Sequence, residues 1–214
     1  VITTAHCIPA GDWIDSILKA HEKPFAGIGG AIENDGTSGL TDWAIYFCRY
    51  SRYMLPFGER EVDDIPGDNA SYKRAAMEGC KEARRNGFWE PTVHAQFARE
   101  GLRLLTTPSI LVRHKKSFAA WSFTGNRFQH GKRFGAARAL NLNPMRRLVY
   151  TLLSPLIPFV LLSRIARQVL FKKRHMAKLL LSLPILMLFL ISWSAGELAG
   201  YLQGPDNPER TATA

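Results

Sequence analysis

Hydrophobic and polar positions change their spacing along this chain, and the changes divide it into zones. Val1, Ile2, Thr3 and Thr4 form a short β-prone run, read as a strand already under way. Beyond Asp12, the apolar residues Trp13, Ile14, Ile17 and Leu18 recur at helical spacing, and Asp12 belongs to the residue class that caps helix starts. The Gly-rich stretch 25–32 predicts a strand or turn, followed by a loop through Asn34, Asp35 and Gly36. Thr41 opens an aromatic helix carrying Trp43, Tyr46, Phe47, Tyr50 and Tyr53. Residues 56–68, rich in Pro, Gly and Asp, predict a loop, and Asp68 or Asn69 then predicts the cap of another helix. Pro91 just inside a start and Gly101 just past an end bracket a short helix. Two strands are predicted after it, over 102–106 and 109–114. Helices alternating with strands make residues 1–116 an α/β domain.

The pattern then turns basic and finally apolar. Residues 117–147 predict a basic helical connector, and 148–204 a membrane-associated region. The run 148–162 is apolar but holds Pro155 and Pro158, and it is shorter than the ~20 residues that cross ~30 Å of hydrocarbon. The run 179–202, interrupted only by Pro184 and Glu197, is the predicted transmembrane helix. Arg146 and Arg147 precede the first run, and Arg164, Arg167, Lys172, Lys173, Arg174 and Lys178 lie between the two. Positive charge stays on the cytoplasmic side. Both flanks of the first run therefore share a face, and it is read as re-entrant or interfacial. Residues 205–214 are expected to be a disordered tail.

Charge sharpens this division. Residues 1–100 carry 15 acids and 11 Lys/Arg, whereas residues 101–214 carry 3 acids and 17 Lys/Arg. No acid occurs over 101–196. A basic half can serve nucleic acid, but cations beside apolar runs favour an anionic membrane surface, so no nucleic-acid partner is expected. Cys7, Cys48 and Cys80 are too scattered for a disulfide framework or a zinc motif and read as ordinary buried thiols of a reducing compartment.

Four groups of residues carry candidate chemistry. His6 ends the first strand, where α/β domains bind ligands. Asp68 and Asn69 stand where either a cap or a hydroxylated ligand would be held. Glu90 follows Gly87, Phe88 and Trp89 at a helix entrance, with His94 one turn on; a carboxylate there can cap the helix or take a proton from an attacking hydroxyl. Aromatic faces such as Trp89 suit stacking against a sugar ring. His114 ends the last strand and can complete a metal site with His6. Lys115, Lys116, Arg127, Lys132 and Arg133 follow and can face either a diphosphate or anionic lipid.

The order of these motifs resembles family 2 glycosyltransferases. The resemblance runs over residues 1–135 through His6-Cys7-Ile8-Pro9 with Gly11 and Trp13, Gly29-Gly30-Ala31-Ile32-Glu33-Asn34, and Asp42-Trp43-Ala44. It continues through Tyr46-Phe47-Cys48, Tyr50-Ser51, Gly67-Asp68-Asn69-Ala70-Ser71-Tyr72-Lys73-Arg74, Gly87-Phe88-Trp89-Glu90 and His114. It implies a partial, Rossmann-like GT-A fold of an inverting, bacterial, membrane-anchored subtype. The implied reaction moves a sugar from a nucleotide-diphosphate donor to a glycan or lipid-linked acceptor at the inner membrane, with the catalytic domain cytoplasmic. By this resemblance Glu90 is the base and Asp68 the reserve, while Gly29, Gly30, Asn69, Trp89 and Arg127 bind substrate. It also implies Mg²⁺ or Mn²⁺ at His6 and His114. Thr4-Ala5-His6 stands in place of the family's Asp-x-Asp and offers no carboxylate, although hard cations prefer oxygen ligands. The nucleotide-binding half is expected upstream of Val1, so this stretch alone is expected to be inactive. A non-catalytic membrane adaptor of the same ancestry is the alternative.

Overall fold

The computed structural model describes residues 1–35, 39–81, 88–115 and 119–203. Gly36, Gly87, Lys116 and the tail over 205–214 lie outside the described residues. The chain separates into two compact units, Val1–Ser38 with Tyr50–Lys116, and Gly39–Arg49 with Ser117–Ala214.

The first unit is a mixed α/β layer structure. Its strands are β1 (Ile2–Thr3), β2 (Cys7–Pro9), β3 (Gly27–Asn34), β4 (Arg60–Val62), β5 (Asn69–Tyr72) and β6 (Leu104–His114), in the order β1-β5-β3-β6-β2, with β4 beside β6. Only β3 and β6 run parallel; the other pairs are antiparallel. The two strands predicted over 102–114 are one, β6. Their break survives as a register shift, in which Gly29 pairs Thr106 but Ala31 pairs Leu111. Pro108 sits in that shift, where a missing N–H costs no ladder bond.

One expectation fails at Asp68 and Asn69. No helix starts there, because residues 69–72 form β5, hydrogen-bonded to β1 on one side and β3 on the other. Sheet pairing outweighs local capping preference, and the helix α3 (Arg74–Gly79) begins only after Lys73. The predicted loop 56–68 likewise contains β4, which pairs with Leu104, Leu105 and Thr106.

Strand alternation on β5 feeds two layers. Asn69 and Ser71 face the helix α1 (Trp13–Ala20): Trp13 Nε1 donates to Asn69 Oδ1 at 3.0 Å, and His21, just past α1, meets Ser71 Oγ at 2.8 Å. Ala70 packs in the opposite layer, where Val93 and Phe97 of α4 (Glu90–Arg99) join Ala26, Ile65, Cys80 and Leu104 in a continuous core. Asp12 occupies the cap position of α1 but makes no capping bond, its carboxylate accepting from Ser16 Oγ at 3.3 Å. The expected apolar face of α1 is only half used. Trp13 and Ile17 are buried, while Ile14 and Leu18 are exposed. Gly101, past α4, adopts a left-handed φ of 69°, which glycine tolerates without strain.

The second unit is helical: α2 (Leu40–Tyr50, apart from Tyr50), α5 (Ala120–Ala139), α6 (Pro144–Leu153), α7 (Ile157–Lys172) and α8 (Met176–Gln203). A 3-10 turn at Ser154–Leu156 joins α6 to α7, so the run 148–162 sits inside one helical stretch, Pro144–Lys172, of 29 residues. This stretch runs antiparallel to α8. Arg147 donates to the carbonyls of Tyr201 and Leu202 at 2.5 and 2.9 Å, and Ser194 Oγ to the carbonyl of Ser154 at 2.6 Å. Parallel to α8 lies α5, and glycines let the two backbones touch. A Cβ on Gly135 would lie 3.1 Å from the Glu197 carbonyl carbon, and one on Gly200 would lie 2.7 Å from the Ala136 nitrogen.

Both long helices are apolar and long enough to cross a membrane. Only 17% of the apolar window in Pro144–Lys172 is buried, and 39% of that in Met176–Gln203. Leu152, Phe159 and Leu180 point outward at 68, 63 and 70% exposure. A helix of a soluble core would bury such side chains; a lipid-facing one leaves them bare.

Candidate functional site

The candidate residues of the α/β unit gather along one file. His114 ends β6, pairing with Cys7 of β2 and Asn34 of β3, so three strands fix its position. The His6 ring meets it edge-on at 5.1 Å between centroids, and the Tyr50 ring lies 5.2 Å from it. The Tyr50 hydroxyl donates to Asp68 Oδ2 at 2.6 Å, a short charge-assisted bond between buried groups. Tyr50 is held there because the chain after it is tied to β3. Ile32 N donates to the Tyr53 carbonyl at 3.0 Å, and Leu55 N to Glu33 Oε1 at 2.8 Å.

Next to Asp68, Gly67 supports Glu90. A Cβ on Gly67 would fall 2.6 Å from Glu90 Cδ and 3.0 Å from its Cγ, so the carboxylate lies directly over the glycine. Glu90 is partly exposed in the first turn of α4, where the free N–H groups favour a negative charge. Two phenols feel it. Burial first, and the Glu90 carboxylate second, push the Tyr72 hydroxyl well above its ordinary pKa. Burial and then Asp64 do the same to Tyr53, with Glu90 a smaller contributor. Behind them His94, 5% exposed, meets the Tyr72 hydroxyl at 2.9 Å, and burial lowers its pKa. Trp89, next to Glu90 in sequence, is 41% exposed.

Other expected site residues are spent on the scaffold. Asn69 is 1% exposed; its amide donates to the carbonyls of Ala31 and Ile110 while its oxygen accepts from Trp13. Both amide hydrogens and one of the two acceptor positions on the oxygen are thus committed to the protein. Gly29 and Gly30 are buried in β3, where a Cβ would strike Ile65 and Pro66 at Gly29, and Asn69 and the Ile110 carbonyl at Gly30. Their small size serves close packing rather than a ligand. Arg127 belongs to the helical unit, its guanidinium 5.1 Å over Phe123 and 5.3 Å over Trp193, with His130 Nδ1 at 2.8 Å.

His6 and His114 supply two imidazoles in ring contact. No group of three or more His, Cys, Asp or Glu comes together among the described residues. Asp68, the nearby carboxylate on the file, is bonded to Tyr50. Nitrogen donors without an oxygen set do not fit Mg²⁺. Tyr50, read in the sequence only as part of the aromatic helix and of the Tyr50-Ser51 motif, is the residue whose ring meets His114 and whose hydroxyl reaches Asp68. Its signal was available, since a buried tyrosine in place of phenylalanine needs a partner for its hydroxyl.

Compared with models of protein families, with curated proteins and with solved structures, the chain finds no match in any of the three.

Proposed function

We propose that this chain is the acceptor-side part of an inverting, family 2-type glycosyltransferase with a partial GT-A fold, anchored in the bacterial inner membrane with its α/β unit cytoplasmic. The observation that carries this reading is Glu90: a partly exposed carboxylate at a helix entrance, seated on Gly67, next in sequence to the exposed Trp89. In the reaction, Glu90 takes the proton of the acceptor hydroxyl as its oxygen bonds to the anomeric carbon. The bond from that carbon to the donor phosphate breaks, and its electron pair leaves with the nucleoside diphosphate. Asp68 does not compete for this role, because it is 7% exposed and bonded to Tyr50. Its task is to hold the Tyr50–His114–His6 end of the file in place.

The outward-facing apolar helices support delivery of a glycan or lipid-linked acceptor at the bilayer. The test is Glu90→Gln in the full-length protein, assayed in membranes for nucleoside diphosphate released from a panel of UDP- and GDP-sugars. Losing a general base costs ~10²–10⁴-fold in turnover. Transfer by Glu90→Gln within a few-fold of wild type refutes the assignment of the base. No transfer by the wild type with any donor favours the adaptor, the reading supported by the missing carboxylate at Thr4-Ala5-His6.

A further inference from the structure

A cleft of about 480 Å³ opens in the helical unit between α5, α8 and the α6–α7 stretch, a volume in the range of ligand sites. Tyr150, Leu153, Ile157, Val160, Leu161 and Arg164 recur at three- and four-residue steps and form one wall. Phe134 and Trp193, ring centres 5.7 Å apart, form the other. From Tyr150 to Arg164 this stripe covers ~21 Å at ~1.5 Å per residue, more than the ~15 Å of hydrocarbon in one leaflet.

The two ends differ in charge. At the Tyr150 end, Arg138 stacks on the phenol ring at 4.4 Å and pairs with the buried Glu197 at 3.7 Å. Glu197 also accepts from Trp193 Nε1 at 3.0 Å and from the Tyr201 hydroxyl at 2.7 Å, so this end is neutral and satisfied. At the other end Arg164 is exposed, and no carboxylate pairs with it among the described residues. The neighbouring hollow of about 520 Å³ differs, because its Arg147 is spent on the carbonyls that end α8. An uncompensated guanidinium at the rim of an apolar slot matches an acidic headgroup above a hydrocarbon tail. Arginine reads phosphate through paired donors, and its stem can reach the interface from within a span.

We infer that this cleft binds an anionic glycerophospholipid, one acyl chain lying along residues 153–161 and the headgroup phosphate held by Arg164. The inference rests on the membrane reading of the two helices and is independent of sugar transfer. The full chain is placed in phosphatidylcholine nanodiscs containing a trace of photoactivatable phosphatidylglycerol or phosphatidylcholine. The phosphatidylglycerol probe labels the cleft about 5-fold more strongly, the size of one basic side chain's attraction to net anionic lipid, because the phosphate is common to both probes and choline neutralises only one of them. Arg164→Gln brings the ratio to about one with unchanged circular dichroism, Arg164→Lys keeps part of it, and Ile157→Trp abolishes labelling in the cleft. Inorganic phosphate leaves the labelling unchanged. Four results overturn the site: equal labelling by both probes, labels confined to outward residues such as Leu152 and Phe159, a second copy crosslinked through the cleft, or displacement by inorganic phosphate.

Discussion

Removing a single oxygen, Tyr50→Phe, tests how the file of site residues is held. The ring keeps its place 5.2 Å from His114, so no cavity opens while the bond with Asp68 is lost. That bond is short, at 2.6 Å, and both partners are almost fully buried, Tyr50 at 2% and Asp68 at 7% exposure. A hydrogen bond to a charged group contributes ~1.5–3 kcal/mol, and losing the donor leaves a carboxylate in a site that water scarcely reaches. We therefore expect a loss of about 2 kcal/mol, or ~4–8 °C in melting temperature for a chain of this size. The assay is urea unfolding of the full chain in mild detergent, followed by tryptophan fluorescence, where the midpoint falls at unchanged slope. Asp68→Asn completes a double-mutant cycle, and a coupling of ~1 kcal/mol or more is expected between two groups in direct contact. A loss below ~0.5 kcal/mol, or two single losses that simply add, refutes the argument that this bond organises the site.

Two further outcomes follow from the same geometry. Gly67→Ala puts a methyl group where the Glu90 carboxylate lies, so the carboxylate must swing away. Transfer activity, measured as nucleoside diphosphate release in membranes, should fall at least ~10²-fold; activity near wild type would place Glu90 outside the reaction. The second outcome concerns pH. Burial lowers the pKa of His94 from its ordinary 6.5, so below that pH the unfolded chain binds a proton that the folded chain refuses. Stability is then full above about 6.5 and declines as pH falls toward the folded pKa. His21, also lowered by burial and then by Lys73, adds to the same slope. In His94→Gln the unfolding midpoint should vary less between pH 7 and pH 5, and an unchanged slope would assign the effect to other groups.

How far the structure was legible in the sequence differs from element to element, and the reason is physical. The helix bracketed by Pro91 and Gly101 and the aromatic helix after Thr41 were readable because their signals are local: a fixed proline φ, a glycine past the end, apolar residues at helical spacing. Residues 69–72 were not readable. Asn69-Ala70-Ser71-Tyr72 has the chemistry of a helix start, and it becomes a strand only because β1 and β3 bring ladders to both of its edges. Those partners are distant in sequence. The same distance hides the work of Asn69, whose three partners are Trp13, Ala31 and Ile110.

The candidate site inherits this asymmetry, and the asymmetry decides which residue to trust. Glu90 was named from a local motif, a carboxylate at a helix entrance next to aromatics. Gly67 stands 23 positions away, and only the fold brings it against the Glu90 carboxylate. Asp68 was named from an equally good local motif, yet the fold turns it inward to Tyr50. A carboxylate that meets solvent and rests on a glycine can receive a proton from an incoming hydroxyl, whereas one that is buried and already bonded to a phenol can only orient its neighbours. Between two carboxylates of similar sequence context, exposure and existing partners favour Glu90 over Asp68 for the proposed role of base.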